Sequence, residues 1–272
     1  MKILVTGHKG FIGSNLALHL QAQGHEVEGW EYIPNTIPDP SRYDWVMHIG
    51  ANSSTTETDV DSIMEQNFEH SLRLLQACDM MGVNFQYSSS ASVYGPTTHF
   101  TENGPLQPQS PYAWTKYLFD RFVTQNLDHF QVIVQGMRYF NVYGKSGEEQ
   151  KGNMASPYTK FINQAKEGEI KVFENSEIYK RDFVCVEDVC SVHEKMLSVD
   201  QSGIYNVGTG NAESFETVAR SIAKKYNADI NYIPMPDNLK GQYQEYTCAN
   251  TDKLTTSIDI EWTKIEDYIN DR

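Results

Sequence analysis

Lys2-Ile-Leu-Val-Thr-Gly7-His-Lys-Gly10-Phe-Ile-Gly13 decides how the rest of this chain is read. Lys2 to Thr6 is a short apolar run of the kind that forms a strand buried in a parallel sheet. It runs directly into three glycines spaced GxxGxxG, and a helical pattern follows from Ser14 to Gln23. Glycines at this spacing let the backbone turn tightly and approach a pyrophosphate. The free N–H groups at the start of a helix favour the same anion. Between a first strand and a first helix, the triplet predicts a dinucleotide-binding α/β fold, a doubly wound parallel Rossmann-type sheet, with Gly7, Gly10 and Gly13 at the cofactor.

Gly24 to Glu31 reads as the second strand. Glu31, at its end, is placed to accept hydrogen bonds from an adenosine ribose, and equally to be an exposed residue at the start of a loop. A carboxylate there repels a 2′-phosphate, which favours NAD over NADP. Pro34, Pro38 and Pro40 then break the chain into a loop, and Asp44 to Ala51 is already another strand. Eleven residues separate Glu31 from Tyr43, too few for a helix and a strand. The sheet is therefore expected to be shortened after its second strand. Gly50, Ala51 and Asn52 close the next strand and open a polar loop, where ligands sit in open α/β sheets.

Further along, Ser62 to Met81 carries a helical apolar rhythm, and Val83 to Tyr87 leads into the hydroxyl-rich Ser88-Ser-Ser-Ala-Ser-Val-Tyr94-Gly95. Tyr112-Ala-Trp-Thr-Lys116 follows, with Pro111 at its start. On a helix a Tyr and a Lys four apart share one face. An ammonium beside a phenol favours the phenolate, so the pair is expected to lower the Tyr112 pKa and make it a proton acceptor for an alcohol. A Ser in the preceding turn is expected to hold the substrate oxygen. Gln131 to Gln135 reads as a strand ending in Arg138-Tyr-Phe-Asn141-Val-Tyr-Gly144, with Asn141 either a binding or a turn residue. Residues 1–145 are expected to form the dinucleotide-binding domain. Residues 146–272 form a smaller mixed α/β substrate lobe, with some strand and helix returning to the main sheet. Lys151 to about Lys166 is predicted helical. Lys151, Arg181 and Lys240 are the cations to aim at a diphosphate.

With 22 basic and 36 acidic residues the chain carries a net charge of −14, a poor match for nucleic acid or an anionic membrane. It has no apolar run of membrane-spanning length and no leader pattern at its start. The cysteines, at 78, 185, 190 and 248, are spaced for neither a metal nor a CxxC motif and read as reduced thiols in the cytoplasm. No metal site is expected.

With these residues assembled, the chain resembles the extended short-chain dehydrogenase/reductase family, the NAD-dependent epimerases and dehydratases. GxxGxxG, SSSASVYG, YAWTK and RYFNVYG occur in that family's order along nearly the whole chain. The resemblance implies a nucleotide-sugar substrate, NAD or NADP as cofactor, and a homo-oligomer. It assigns catalysis to Ser90, Tyr112 and Lys116. Phe11, Ile12, Glu31, Asn67 and Val142 match cofactor positions, and Asn141 a position shared between cofactor and substrate. Ser53 to Glu57, Lys151-Gly-Asn-Met-Ala-Ser156, Lys180-Arg-Asp-Phe-Val184 and Tyr232 to Gly241 are most like the branch that inverts C6 of an ADP-linked glycero-manno-heptose through a transient ketone. That likeness adds Lys151 as a second acid/base group. It marks Asn153, Phe173, Glu174, Asn175, Ser176, Arg181 and Tyr243 as substrate positions.

Asn153 stands where that branch has a Ser, Lys160 where it has a His, and the region carrying its NADP-binding cations is absent. The branch favours NADP; Glu31 and the short connector favour NAD. Within the family the alternatives are a UDP-hexose 4-epimerase and a nucleotide-sugar dehydratase. Ala91 and Ser92, where a dehydratase has an acidic pair, argue against the latter. From another class, the alternative is a dinucleotide-binding sensor or interaction protein with little turnover.

Overall fold

Apolar runs alternate with helical patterns along the first half, and the chain folds accordingly in a computed structural model that describes residues 1–54, 57–144, 146–237 and 244–271. β1 (Lys2–Thr6) feeds α1 (Phe11–Ala22) and β2 (Glu26–Trp30). Only a 3-10 turn at Pro40–Arg42 separates β2 from β3 (Trp45–His48). Next come α2 (Val60–Met64), a π-helical turn (Glu65–Glu69), α3 (His70–Met81), β4 (Asn84–Ser90), α4 (Pro111–Asn126), β5 (Val134–Tyr139) and β6 (Asn141–Tyr143). The second half holds a 3-10 stretch (Glu148–Met154), α5 (Pro157–Lys166), β7 (Glu169–Phe173), β8 (Lys180–Cys185), α6 (Val186–Met196), β9 (Gly203–Val207) and β10 (Ala212–Ser214). It ends with α7 (Phe215–Tyr226), β11 (Asp229–Ile233), β12 (Tyr246–Thr247), α8 (Asp252–Ser257) and α9 (Ile265–Asp271).

The main sheet runs β2-β1-β3-β4-β5-β9, with every neighbouring pair parallel. As the short connector requires, β2 is an edge strand. Charge guards it: Lys2 pairs with Glu26 and Glu28, and Arg42 reaches Glu28. One face of the sheet buries Ile3 and Val5 against Leu16 and Leu20 of α1 and Val189 and Val192 of α6. The other buries Leu4, Val46 and Phe85 against Leu74 and Leu75 of α3 and Phe119 and Val123 of α4. The second half thus returns α6 and β9 to the main sheet. Leu254 of α8 packs in the same main core, while α5, β7, β8, α7 and α9 build a separate core around Tyr143, Tyr158, Phe183 and Tyr268. There β10-β8-β12 forms a small sheet joined by β6, and β7 pairs with β11.

The order in which strands are added to the sheet reverses between β1 and β3, which makes their C-terminal ends the switch-point crevice where ligands bind. Gly7 and Gly50 follow those two strands. Gly7 is left-handed at φ 67, and a Cβ on it would lie 2.4 Å from the Gly50 Cα. Only glycine allows the backbones to close at this point.

Several local boundaries differ from expectation: α1 starts at Phe11 rather than Ser14 and β3 ends at His48 rather than Ala51. The strand expected from Gln131 starts at Val134, because Asp79 Oδ1 already holds the Gln131 N–H at 2.7 Å. The helix expected from Lys151 starts at Pro157, capped by Ser156; Gly152, at φ 52, interrupts what precedes it. The helix expected over Ser62–Met81 contains the π-helical turn.

Asp182 ties the lobe together. Fully buried, it accepts from the Thr209 N–H (2.7 Å) and hydroxyl (2.8 Å), the Gly210 N–H (2.9 Å) and the Ala249 N–H (3.0 Å). A buried donor left unpaired costs about 1–3 kcal/mol. Asp182→Ala strands three backbone donors and is expected to lower the unfolding free energy by about 3 kcal/mol or more. Urea denaturation measures this, and an unchanged midpoint would contradict the role.

Candidate functional site

The glycine turn builds one wall of the site. The Gly7 N–H donates to Trp30 O at 2.8 Å and the Gly10 N–H to Gly7 O at 3.0 Å. Gly13 packs against the same carbonyl; a Cβ there would sit 2.1 Å from Gly7 O. α1 begins with no side-chain cap and no acidic residue in its first turn. Its first N–H groups and the positive end of its dipole therefore face whatever anion the crevice takes. A cavity of about 440 Å³ opens there, lined by Gly7, Gly10, Phe11, Ile12 and Gly13 together with Glu31, Gly50, Ala51 and Asn52. An uncapped helix start behind a tight glycine turn fits the pyrophosphate of a dinucleotide.

Glu31 also has a local task. Its Oε1 accepts from the Lys9 N–H at 2.8 Å and lies 3.0 Å from His8 Nδ1, so the carboxylate braces the turn. Arg42, the cation at the end of the connector, is held elsewhere, 3.6 Å from Glu28 and 5.6 Å from the centre of the Tyr43 ring.

The opposite wall comes from α4, which starts at Pro111 with Ser110 accepting from the Ala113 N–H. Tyr112 and Lys116 both line the cavity, and Asp120 lies one further turn along the same face. Lys116 Nζ donates to Ser88 O at 2.8 Å and sits 6.0 Å from the centre of the Tyr112 ring. Burial pushes its amine down to about 8, against an upward pull from Asp120. The expected lowering of the Tyr112 pKa is corrected here. Burial raises the phenol above its ordinary value, a hydrogen bond with Ser90 opposes that rise, and Asp120 adds to it. Lys116 spends its shortest bond on the Ser88 carbonyl rather than on the phenol.

Lys151 reaches the same cavity from the 3-10 stretch, its Nζ 5.6 Å from the centre of the Phe11 ring. Burial lowers its amine, Glu148 raises it and Lys160 lowers it further. Glu148 is fully buried and accepts from the Gly144 N–H, the Ser156 N–H and the Thr159 hydroxyl, which fixes the segment carrying Lys151.

Other expected residues lie elsewhere. Asn67 and Val142 do not line the cavity. Asn67 is turned inward, exchanging hydrogen bonds of 2.8 and 2.9 Å with the Asn52 backbone and so supporting the Asn52 loop from behind. Val142 is packed in the main core, and Asn141 pairs with Phe183 in the small sheet. Phe173 and Ser176 line a second cavity of about 320 Å³, with Phe161, Phe215, Lys160 and Lys171. Glu174 and Asn175 form an exposed turn beside it, Asn175 left-handed at φ 60. Arg181 donates to the carbonyls of Lys180 and Gln244 and lies over the Phe215 ring, so it lines neither cavity. Lys240, Tyr243 and the Asn153 side chain fall outside the described residues.

Sequence reasoning missed Trp30, Tyr32, His48 and His70, all of which line the main cavity, and in the hydroxyl-rich turn it chose Ser90, whereas Ser88 and Ser89 line the cavity. It also missed Asp120, although the four-residue step from Lys116 placed it on the same face. The two histidines carried no spacing that marked them.

The profile described as the NAD dependent epimerase/dehydratase family matches residues 3–208, from β1 to just past β9. Among solved structures, the chain is similar to an ADP-L-glycero-D-manno-heptose-6-epimerase of Helicobacter pylori, with 29% identity, 99% of this chain and 94% of that one covered, and a TM-score of 0.86. It is similar to a UDP-glucose 4-epimerase of Thermus thermophilus in complex with NAD, with 27% identity, coverage of 94% and 92%, and a TM-score of 0.78. It is also similar to an NAD-dependent NDP-hexosamine 5,6-dehydratase of tunicamycin biosynthesis, with 25% identity, coverage of 98% and 95%, and a TM-score of 0.83.

The state of Lys116 has a consequence for stability. Its amine titrates at about 8 when folded against an ordinary 10.5, so between those values the unfolded chain binds the extra proton. Below pH 8 the folded lysine is charged at a cost, and that cost disappears as pH rises towards 10.5, a gain of about 3 kcal/mol for this group. Lys151 and Lys253, also pushed down by burial, act in the same direction, so the readout is a difference between proteins. Lys116→Met is expected to flatten part of the rise in stability over this window and to be more stable than the native protein at pH 7. Equal slopes in pH-dependent urea unfolding would contradict it.

Proposed function

The chain belongs to the NAD dependent epimerase/dehydratase family, and from that premise we propose that it is a nucleotide-sugar epimerase inverting C6 of an ADP-linked glycero-manno-heptose. The observation that carries this reading is that Tyr112 and Lys151, from opposite halves of the chain, line one cavity with the glycine turn. Inversion through a ketone takes hydride from C6 and a proton from its hydroxyl oxygen, then returns hydride to the opposite face of C6 and a proton to the oxygen in its new position. Two separate acid/base groups meet that need.

A nicotinamide dinucleotide, when bound, supplies the hydride acceptor and donor. In this reading Tyr112 takes the proton of the C6 hydroxyl, with Ser90 orienting the same oxygen. Lys116, anchored on Ser88, holds positive charge beside the phenol, and any further positive charge entering the cavity stabilises the phenolate. Lys151, its pKa already lowered by burial, delivers the proton on return. The second cavity, with Lys160 and Lys171 on its rim and Phe173 within, is the proposed seat for the nucleotide of the sugar. The likeness to the Helicobacter heptose epimerase supports ADP-heptose, and the likeness to the Thermus 4-epimerase supports a UDP-hexose as the second reading.

Turnover on a panel of ADP- and UDP-sugars, with native protein and Tyr112→Phe, tests this. ADP-heptose is expected to be the best substrate. The Phe variant is expected to lose about 10²–10⁴ in rate while retaining sugar-nucleotide affinity. A preference for UDP-galactose would transfer the assignment to the 4-epimerases, and native-like turnover by Tyr112→Phe would remove Tyr112 from the chemistry.

For the cofactor, NAD is favoured over NADP. Glu31 puts a carboxylate at the turn, and Arg42 is engaged by Glu28 and Tyr43. Titrating both dinucleotides into stripped protein is expected to show NAD binding at least as tightly. NADP binding about tenfold tighter, roughly 1.4 kcal/mol, would mean that Lys9 or Arg42 reaches the 2′-phosphate and that Glu31 does not set the preference.

A further inference from the structure

Among the described residues no strand stands beyond β2, so the sheet offers no further wall at that end of the cavity. Aromatic rings supply one instead. His70 stacks on Trp30 with ring centres 5.3 Å apart and planes 8° from parallel. Tyr32 meets the imidazole edge-on at 5.2 Å and 89°, and His48 lies behind it at 5.5 Å. Trp30, Tyr32 and His70 all line the cavity beside Glu31. The π-helical turn Glu65–Glu69 comes just before His70, and π-turns of this kind cluster at functional sites.

The unusual group is the imidazole. His70 is 1% exposed, and neither of its ring nitrogens has a hydrogen-bond partner among the described residues. His48, next to it, is paired at both nitrogens, with Thr6 Oγ1 at 2.7 Å and Ser71 Oγ at 2.8 Å. A phenylalanine at 70 would stack on Trp30 without leaving buried polar atoms unpaired. Burial and Arg73 hold the His70 pKa down against Glu65, so at neutral pH the ring offers one acceptor and one donor. Adenine is a flat base whose edge carries an amine donor beside ring-nitrogen acceptors. The ring covering the imidazole, Tyr32, stands at the head of the exposed connector from Ile33 to Ile37, so it is the one free to give way.

We propose that His70 reads the adenine end of the dinucleotide: the base lies against the Trp30–Tyr32–His70 wall, displaces the Tyr32 edge, and takes a hydrogen bond from or to an imidazole nitrogen. This rests on the cofactor reading above and adds a specificity residue to it. The wall does for this chain what a further strand and helix would otherwise do.

Calorimetric titration of stripped protein with NAD, ADP-ribose and nicotinamide mononucleotide tests the assignment. In His70→Phe the stack survives and the hydrogen bond does not. ADP-ribose and NAD are expected to bind about five- to tenfold more weakly, with nicotinamide mononucleotide unchanged. The unliganded variant is expected to melt no lower than the native protein, because an unpaired buried polar group has been removed. Should the variant not fold, the nitrogen-15 imidazole resonances of His70 in the native protein serve the same end: they are expected to shift with ADP-ribose and not with the mononucleotide. Unchanged ADP-ribose affinity in the variant, or unmoved His70 resonances on ADP-ribose binding, overturns the assignment while NAD binding leaves the cofactor reading standing. A native protein that binds neither NAD nor ADP-ribose overturns both.

Discussion

One buried ion pair, Asp120 with Arg138, holds the floor beneath the candidate site. Their side chains are almost wholly buried, and Arg138 Nε meets Asp120 Oδ2 at 2.7 Å. The Tyr87 hydroxyl donates to one Asp120 oxygen and the Ser89 hydroxyl to the other, each at 2.9 Å. Arg138 Nη1 donates to the Tyr94 hydroxyl and to Glu102 O, both at 3.1 Å. Tyr94 passes the chain on to Asn206 at 2.7 Å. The desolvation of two charges is tolerable only because the surrounding polar groups are so fully paired. This network joins α4 to β4, β5 and β9 at the level of Lys116. It sets the height at which Tyr112 and Lys116 enter the cavity, and the Asp120 charge opposes the burial that drives the Lys116 pKa down.

The second constraint is the short connector. Because it returns the chain to β3 with only thirteen residues between Glu31 and Trp45, β2 becomes an edge strand. The glycine turn then loses the support that a further strand would lend. Glu31 replaces part of that support by bonding the Lys9 N–H. Trp30, Tyr32 and His70 replace another part by stacking across the open end. Each is a local solution to one missing layer. Together they leave an end of the cavity formed by side chains rather than backbone.

Much of the fold was legible because its signals are local. An apolar run, a glycine triplet and a helical pattern are read within about twenty residues, and β1, the turn and α1 formed in that order. The shortened sheet followed from counting residues between Glu31 and Tyr43. The start of β5 was misread because Asp79, over fifty residues away, captures the Gln131 N–H. Asn67 was expected to touch the cofactor, but the π-helical turn brings its amide onto the Asn52 backbone. Two expected substrate positions, Phe173 and Ser176, share a cavity that depends on α5, β7, β11 and α7 packing together, which no local pattern encodes.

By itself the sequence determined which residues share a face. A four-residue step on a helix places Tyr112 above Lys116 and Lys116 above Asp120, whatever surrounds them. It also determined the absence of a layer after β2, since a chain of that length cannot span one. Only the tertiary structure decided the protonation states and the partners. The Tyr112 phenol is raised rather than lowered because burial outweighs the hydrogen bond with Ser90, while the Lys116 amine is bonded to the Ser88 carbonyl. Among the described residues His70 has no hydrogen-bond partner, whereas His48 beside it is paired by Thr6 of β1 and Ser71 of α3. Desolvation and long-range hydrogen bonding depend on which distant segments exclude water from a group, and that is a property of packing rather than of spacing along the chain.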